Sequence, residues 1–197
     1  MSTDILLQAI RQITPAISAR ELKQLLPTLS ERKIIKGEHL VINGSNFRYL
    51  TFIVTGALRL YHISTEGNET NILLSIDNNF INDYESLLHN KPADYSIQAT
   101  ADSELILIDY NKFEHLLSST KNWEHCGRMI NQYVLMGIFS RVQSLLFLTP
   151  EQRYIKLLKT EPYLLEKFSQ EHIASYIGVK RESLSRIRNR IVREKRI

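Results

Sequence analysis

The chain has 197 residues, 43% hydrophobic and 23% charged, with seven glycines and five prolines. That composition excludes a disordered or collagen-like chain, and the length predicts one domain of ordinary size plus a smaller one. The net charge of +4 is uneven: residues 149–197 carry 12 Lys/Arg against 6 Asp/Glu, whereas the first 148 carry 13 against 15. The basic excess therefore sits in the last quarter, where it adds a salt-sensitive attraction to phosphates. A single cysteine, Cys126, excludes an internal disulfide and a four-cysteine iron–sulfur cluster. No apolar run reaches the roughly 18 residues of a membrane span, and the start MSTDILLQAI has neither a basic n-region nor a small-residue cleavage site. A cytoplasmic protein without a membrane partner is expected.

In chain order, residues 4–12 and 18–26 have helical apolar spacing, separated by Pro15 and closed by Pro27. From Arg32 the period changes. The runs KIIKGEHLVING, YLTFIVTGALRLYHIS and TNILLSID are β-branched and aromatic, punctuated by Gly37, Gly44, Gly56 and Gly67, and predict strands of a sandwich or jelly roll. Asp83–Asn90 predicts a short helix, SIQATA and ELILIDY two further strands, and NKFEHLLSS a helix. Residues 123–148 lack proline and place Cys126, Ile130, Val134, Ile138, Val142, Leu145 and Leu148 at steps of three and four. A 26-residue helix would be about 39 Å long, more than one small domain needs. One stripe is expected to pack on the roll and a neighbouring one, through Gly137, on a second copy. Thr149-Pro150-Glu151 then restarts a helix, making 148–150 a natural hinge.

The segment FSQEHIASYIGVKRESLSRIRNRIVR, from Phe168 to Arg193, predicts two helices joined at a tight turn. Ser169 is placed to cap the first, and Gly178 to take the left-handed conformation that ends it. In the second, Leu184, Ile187 and Ile191 form an apolar face, with Glu182, Arg186, Asn189 and Arg193 opposite. An Arg fork matches guanine O6 and N7, and a Glu accepts from the cytosine amino group, so Arg181, Glu182 and Arg186 have the chemistry to read G·C pairs. A basic helix face is equally the composition of plain solvated surface. The cap, the Gly turn and the mixed Arg/Glu face together favour DNA.

The run Gly178, one apolar and one polar residue, then Arg181-Glu182-Ser183-Leu184-Ser185-Arg186 resembles the helix-turn-helix of the Crp/Fnr superfamily of bacterial transcription regulators. Gly37, Gly44, Val54-Thr55-Gly56 and Glu66-Gly67 similarly match the turn glycines of its cyclic-nucleotide-binding fold. The resemblance implies an α+β protein: N-terminal helices and an antiparallel β jelly roll, a long dimerisation helix at about 122–148, and a C-terminal winged helix-turn-helix. The implied domains are residues 1–148, for effector and dimerisation, and 149–197, for DNA. It also implies base readout of a GTGA-like half-site by Arg181, Glu182 and Arg186, and phosphate contacts near Lys180, Ser169 and Gln170, with Asn189 on the same face. The implied partners are double-stranded DNA, a second copy of the chain and RNA polymerase. About five residues follow Val192, too few for the usual wing, so phosphate contacts are expected to rest on Arg188, Arg190, Lys195 and Arg196.

The nucleotide cassette departs from the family pattern. Burying a cyclic phosphate requires a cation and backbone N–H groups at a short helix. Anchored on Ser96, the stretch FINDYESLLHNKPADYSIQA has Tyr95 where the family has Arg, Glu85 where it has the ribose-binding acid, and Tyr84 before it in place of Gly. Anchored on Phe80, the Gly-Glu pair becomes Asn82-Asp83. Neither register supplies the cation, and Lys91 falls too early in the loop. Tight cyclic AMP binding is therefore not expected. Two states stay open: a roll holding an uncharged ligand lined by Tyr84, Glu85, Tyr95 and Ser96, or a roll that is only a dimerising scaffold. His125 beside Cys126 invites a metal or nucleophile, yet neighbours on a helix point apart and a half-buried structural cysteine is expected. The six histidines lack metal spacing, and no nucleophile–base pair or phosphate loop marks an enzyme, so no metal, cofactor or catalytic residue is assigned. The alternative to a DNA-binding regulator is a small-ligand or cyclic-nucleotide sensor acting on a protein partner.

Overall fold

The computed structural model describes residues 2–194. Helix α1 (Ser2–Ile13) is followed by α2 (Ala19–Lys23), which Ser18 and Glu21 open with a reciprocal capping box. The second predicted helix is thus shorter than its apolar pattern, and Pro27 falls in a 3-10 turn at Leu26–Thr28. Six strands follow: β1 (Leu29–Ile34), β2 (His39–Val41), β3 (Tyr49–Ile63), β4 (Glu69–Ile76), β5 (Asn79–Phe80) and β6 (Ser96–Asp109). All pair antiparallel in one sheet of order β1-β6-β3-β4, with β2 on β6 and β5 on β3. The stretches SIQATA and ELILIDY are one continuous strand, and Tyr110 opens a helix where a strand end was expected. The backbone pairs with β3 on both sides of a shifted stretch, and within that stretch Ser103 pairs with Ile34 of β1.

The long apolar runs reflect burial on both faces of the sheet. Along β3 and β6, Phe52, Val54, Ile106 and Ile108 face a cluster with Leu6, Ile10, Leu25, Phe113 and Trp123. Their neighbours Ile53, Leu105 and Leu107 face an inner cluster with Leu40, Ile81, Ala93 and Ile97. The alternation is the period of two that a pleated strand imposes. At Gly56 the register shifts repeatedly and φ is +117°. A Cβ there would sit 2.7 Å from the Ser103 Cα, so only glycine lets β3 cross β6 at this bend.

Between β5 and β6 lies α3 (Tyr84–His89); after β6 come α4 (Tyr110–Leu117) and α5 (Lys121–Phe147). Thr120 caps α5, and Trp123, Cys126 and Gly127 are buried against the roll. The expected stripe holds only for this first part of the helix. Beyond Ile130 it runs past the roll, leaving Ile138 56%, Val142 43% and Leu145 43% exposed. Cys126 is fully buried and its thiol is pushed up by burial, whereas His125 bonds Arg128 outside. Helices α6 (Pro150–Thr160), α7 (Leu164–Lys167), α8 (Gln170–Tyr176) and α9 (Arg181–Glu194) complete the described residues, with Thr149 and Gln152 forming a capping box at the α5–α6 break. Among the described residues no helix is long and apolar enough to cross a membrane, and no His/Cys/Asp/Glu cluster could hold a metal ion.

Candidate nucleic-acid interface

Ser169 Oγ accepts the His172 N–H at 3.1 Å, capping α8. The helix ends in a double turn: Gly178 N–H bonds the Ser175 carbonyl and Val179 N–H bonds that of Ala174, with Gly178 at φ +74°. This is the Schellman closure, which satisfies carbonyls a helix end otherwise leaves open. Lys180 then offers its carbonyl to the N–H groups of Ser183 and Leu184, and α9 begins. The inner face of α9 is settled by burial: Leu184 is 1% and Ile187 7% exposed, packed with Ile173, Ala174, Ile177, Leu164 and Phe168.

The outer face is exposed at Arg181, Glu182, Arg186, Asn189 and Arg193, and Lys180, Ser169 and Gln170 flank it, also exposed. The side chains of Arg181 and Glu182 make no hydrogen bond or ion pair among the described residues, and that of Arg186 makes only a long 3.4 Å contact to Ser183 Oγ. Three readout groups on one 14-residue helix are therefore unspent. Arg190 is different. Its guanidinium binds both Glu151 carboxylate oxygens at the start of α6, so it braces α9 and is not a spare phosphate contact. Arg188 is exposed, and Lys195 and Arg196 lie outside the described residues.

The unit bearing α9 rests on the sheet. Ala57 and Leu74 join its apolar core. Asn71 of β4, 2% exposed, donates its N–H to Ser175 Oγ at 2.8 Å and its amide to the His172 carbonyl at 3.2 Å. Beneath it Arg59, 6% exposed, is held by Glu69, Gln98 and the face of Tyr61. His172 is half-buried at this seam, and burial, with Arg59 adding to it, lowers its pKa from the ordinary histidine value. None of these contacts covers the outer face of α9.

The four candidate effector residues are not gathered about one space. Tyr84 points to α5 and donates to Asn131 Oδ1 at 2.6 Å. Glu85 is exposed and pairs with Lys91, which also holds Asp94. Tyr95 packs on the inner cluster and edges the His62 ring, while buried Ser96 accepts the Asn43 N–H through its hydroxyl at 3.0 Å. The residue that organises this loop is Asp83, 5% exposed. One carboxylate oxygen caps α3 through the Ser86 N–H at 3.2 Å; the other accepts the N–H groups of Asp94 at 2.8 Å and Tyr95 at 3.3 Å. An acid immediately before a six-residue helical pattern is the sequence signal that marks it. Nearby Arg48 is committed to the carbonyls of Ser86 and Leu87.

Residues 31–120 match the family model described as the cyclic nucleotide-binding domain. No curated protein sequence matches the chain. Among solved structures, FixK2 from Bradyrhizobium japonicum is similar at 18% identity, over 85% of this chain and 86% of that one, with a TM-score of 0.70. A protein from Eubacterium rectale assigned to the crp/fnr family of transcriptional regulators is 17% identical over 91% and 86%, with a TM-score of 0.69. The c-di-GMP responsive global regulator CLP of Xanthomonas campestris is 15% identical over 90% and 93%, with a TM-score of 0.67. Residues 31–120 thus form a cyclic-nucleotide-binding-type domain, and the chain as a whole has the mixed helical and antiparallel-sheet fold of Crp/Fnr regulators.

Proposed function

We propose that the chain is a homodimeric, sequence-specific DNA-binding transcriptional regulator. Residues 1–148 serve dimerisation and 149–197 bind DNA. The observation that carries this is the outer face of α9, where Arg181, Glu182 and Arg186 stand exposed without an ion pair among the described residues, while the inner face is buried and Arg190 is tied to Glu151. Arg181 and Arg186 pair with guanine edges and Glu182 with a cytosine amino group; Lys180, Gln170 and Asn189 fix register from the backbone side, and Ser169 adds its cap to that end of α8.

Dimerisation is supported by α5, whose distal half leaves Tyr133, Met136, Phe139, Leu146 and Phe147 between 54% and 75% exposed. An apolar surface of that extent is a protein-contact surface, and two copies present the two reading helices a palindrome needs. RNA polymerase is the expected further partner of such a dimer. Independence from cyclic AMP is supported by the commitments around α3: Arg48 and Lys91 are both spent on protein groups, and an anion entering there meets the Asp83 carboxylate.

Binding of labelled duplexes at near-physiological salt tests the assignment. Arg186→Ala should weaken the specific palindrome by about 25-fold or more and random DNA little, since the dimer loses one bidentate base contact of about 1–3 kcal/mol in each half-site. Lys180→Ala should weaken both alike. Equal effects of the two changes on specific and random DNA would refute base readout by Arg186.

A further inference from the structure

At the C-terminal end of α8 the carbonyls of Tyr176 and Ile177 each receive an arginine, and the two arginines come from different helices. Arg141, on α5, donates to the Tyr176 carbonyl and lies over the Tyr176 ring, 4.0 Å from its centroid. Arg153, on α6, donates Nε to the Ile177 carbonyl at 2.7 Å and Nη1 to the carbonyl of Leu148 at 2.8 Å. Its contact to the Leu145 carbonyl is longer, at 3.4 Å. One guanidinium thus closes the end of α5 and the end of α8 together. Lys156 adds a bond from α6 to Ser140 of α5, and a Cβ at Gly178 would touch Leu145 at 3.6 Å.

Cations at a helix C-terminus satisfy open carbonyls and the negative end of the helix dipole. A single surface arginine would do so without consequence for anything else. Here Arg141 is half-buried, and that burial pulls its pKa down from the ordinary arginine value, a cost the carbonyl and the Tyr176 face offset. The turn at 178–180 is all that separates these carbonyls from the first turn of α9. Fixing residues 176 and 177 to α5 therefore fixes the direction of the reading helix relative to α5.

We propose that Arg141 and Arg153 are positioning residues of the reading head: they lock α9 to the end of α5, so that the dimer accepts half-sites at one separation only. This rests on the DNA-binding dimer proposed above. Two reading helices must fall about one turn of DNA apart, and a base pair added between half-sites moves one of them by about 3.4 Å and rotates it by about a tenth of a turn. A rigid joint cannot follow that displacement, whereas a loose one can.

The test uses the full chain, wild type and the double variant Arg141→Gln, Arg153→Gln. Binding is measured to the wild-type palindrome, to the same half-sites with one or two base pairs inserted or removed, and to a single half-site. Wild type should prefer its own spacing by about tenfold or more, and the double variant by less than about threefold, with half-site affinity changed less than about twofold. Spacing preference that survives in the double variant overturns the proposal, and so does an equal loss on every duplex, which is the mark of a merely structural role. Should the double variant not fold, Arg153→Lys decides alone. It keeps a cation with a single donor nitrogen in place of the fork, and should relax spacing preference partway if the proposal holds and not at all if it fails. A wild-type protein with no palindrome preference would overturn the DNA-binding reading itself, an outcome distinct from either.

Discussion

Replacing Asp83 by Ala removes one carboxylate and leaves the backbone N–H groups of Ser86, Asp94 and Tyr95 without their acceptor, at a position only 5% exposed. Loss of an N-cap costs about 1 kcal/mol. The two loop hydrogen bonds, from exposed Asp94 and part-exposed Tyr95, are worth about 0.5–1.5 kcal/mol each. A net loss of about 3 kcal/mol follows, or about 6–12 °C in melting temperature for a chain of this size. Asp83→Asn keeps an oxygen for the α3 cap but turns an amide N–H₂ toward the other two donors, so it should lose about half as much. Thermal unfolding followed by circular dichroism measures both, and amide hydrogen exchange locates the effect, with faster exchange at Asp94 and Tyr95. An Asp83→Ala protein that melts within about 1 °C of wild type would refute the view that this carboxylate holds the loop.

Three further changes test other parts of the structure. Gly56→Ala should destabilise by about 3 kcal/mol or more, because its Cβ meets Ser103 backbone at 2.7 Å in a left-handed region, and near-normal melting would contradict the bend at this residue. His172 has a lowered folded-state pKa in a setting that includes Arg59, Glu69, Glu171 and Lys36, so the unfolded chain binds more protons as pH falls below about 6.5. Wild-type stability should therefore drop on acidification below that pH, by at most about 1.4 kcal/mol per unit from this group, and His172→Gln should flatten the profile in denaturant titrations. Parallel profiles would remove His172 from the seam's energetics. Phe139→Glu, on the exposed part of α5, should weaken self-association by about 100-fold or more in sedimentation, since each dimer loses two apolar contacts and gains two charges at the contact. Unchanged association would place the interface elsewhere.

The tight turn and its two helices were legible because local rules decide them: Ser169 caps, Gly178 takes positive φ, and Leu184 and Ile187 recur at helical spacing. The strands were legible as strands for a similar reason, since β3 and β6 bury alternate residues on two faces. Misreadings arose where tertiary contacts override local pattern. The polar residues Asp102 and Ser103 looked like a break, yet Asp102 accepts the Lys36 N–H and Ser103 fits against Gly56, so the strand runs on. The α5 stripe reads uniformly in sequence, but periodicity does not say where the roll ends. Tyr84 opens one short helix and Tyr95 follows it, and spacing alone does not reveal that the first turns out to α5 and the second in. Arg141 and Arg153 were invisible because their acceptors are backbone carbonyls, which any residue can present.

Selection of bound sequences from a random duplex pool by the purified protein, with no ligand added and at near-physiological salt, bears most directly on the proposed function. A two-fold palindrome with GTGA-like half-sites is predicted, with the bases opposite Arg181, Glu182 and Arg186 the most constrained. Recovery of a pool no different from the input would contradict it.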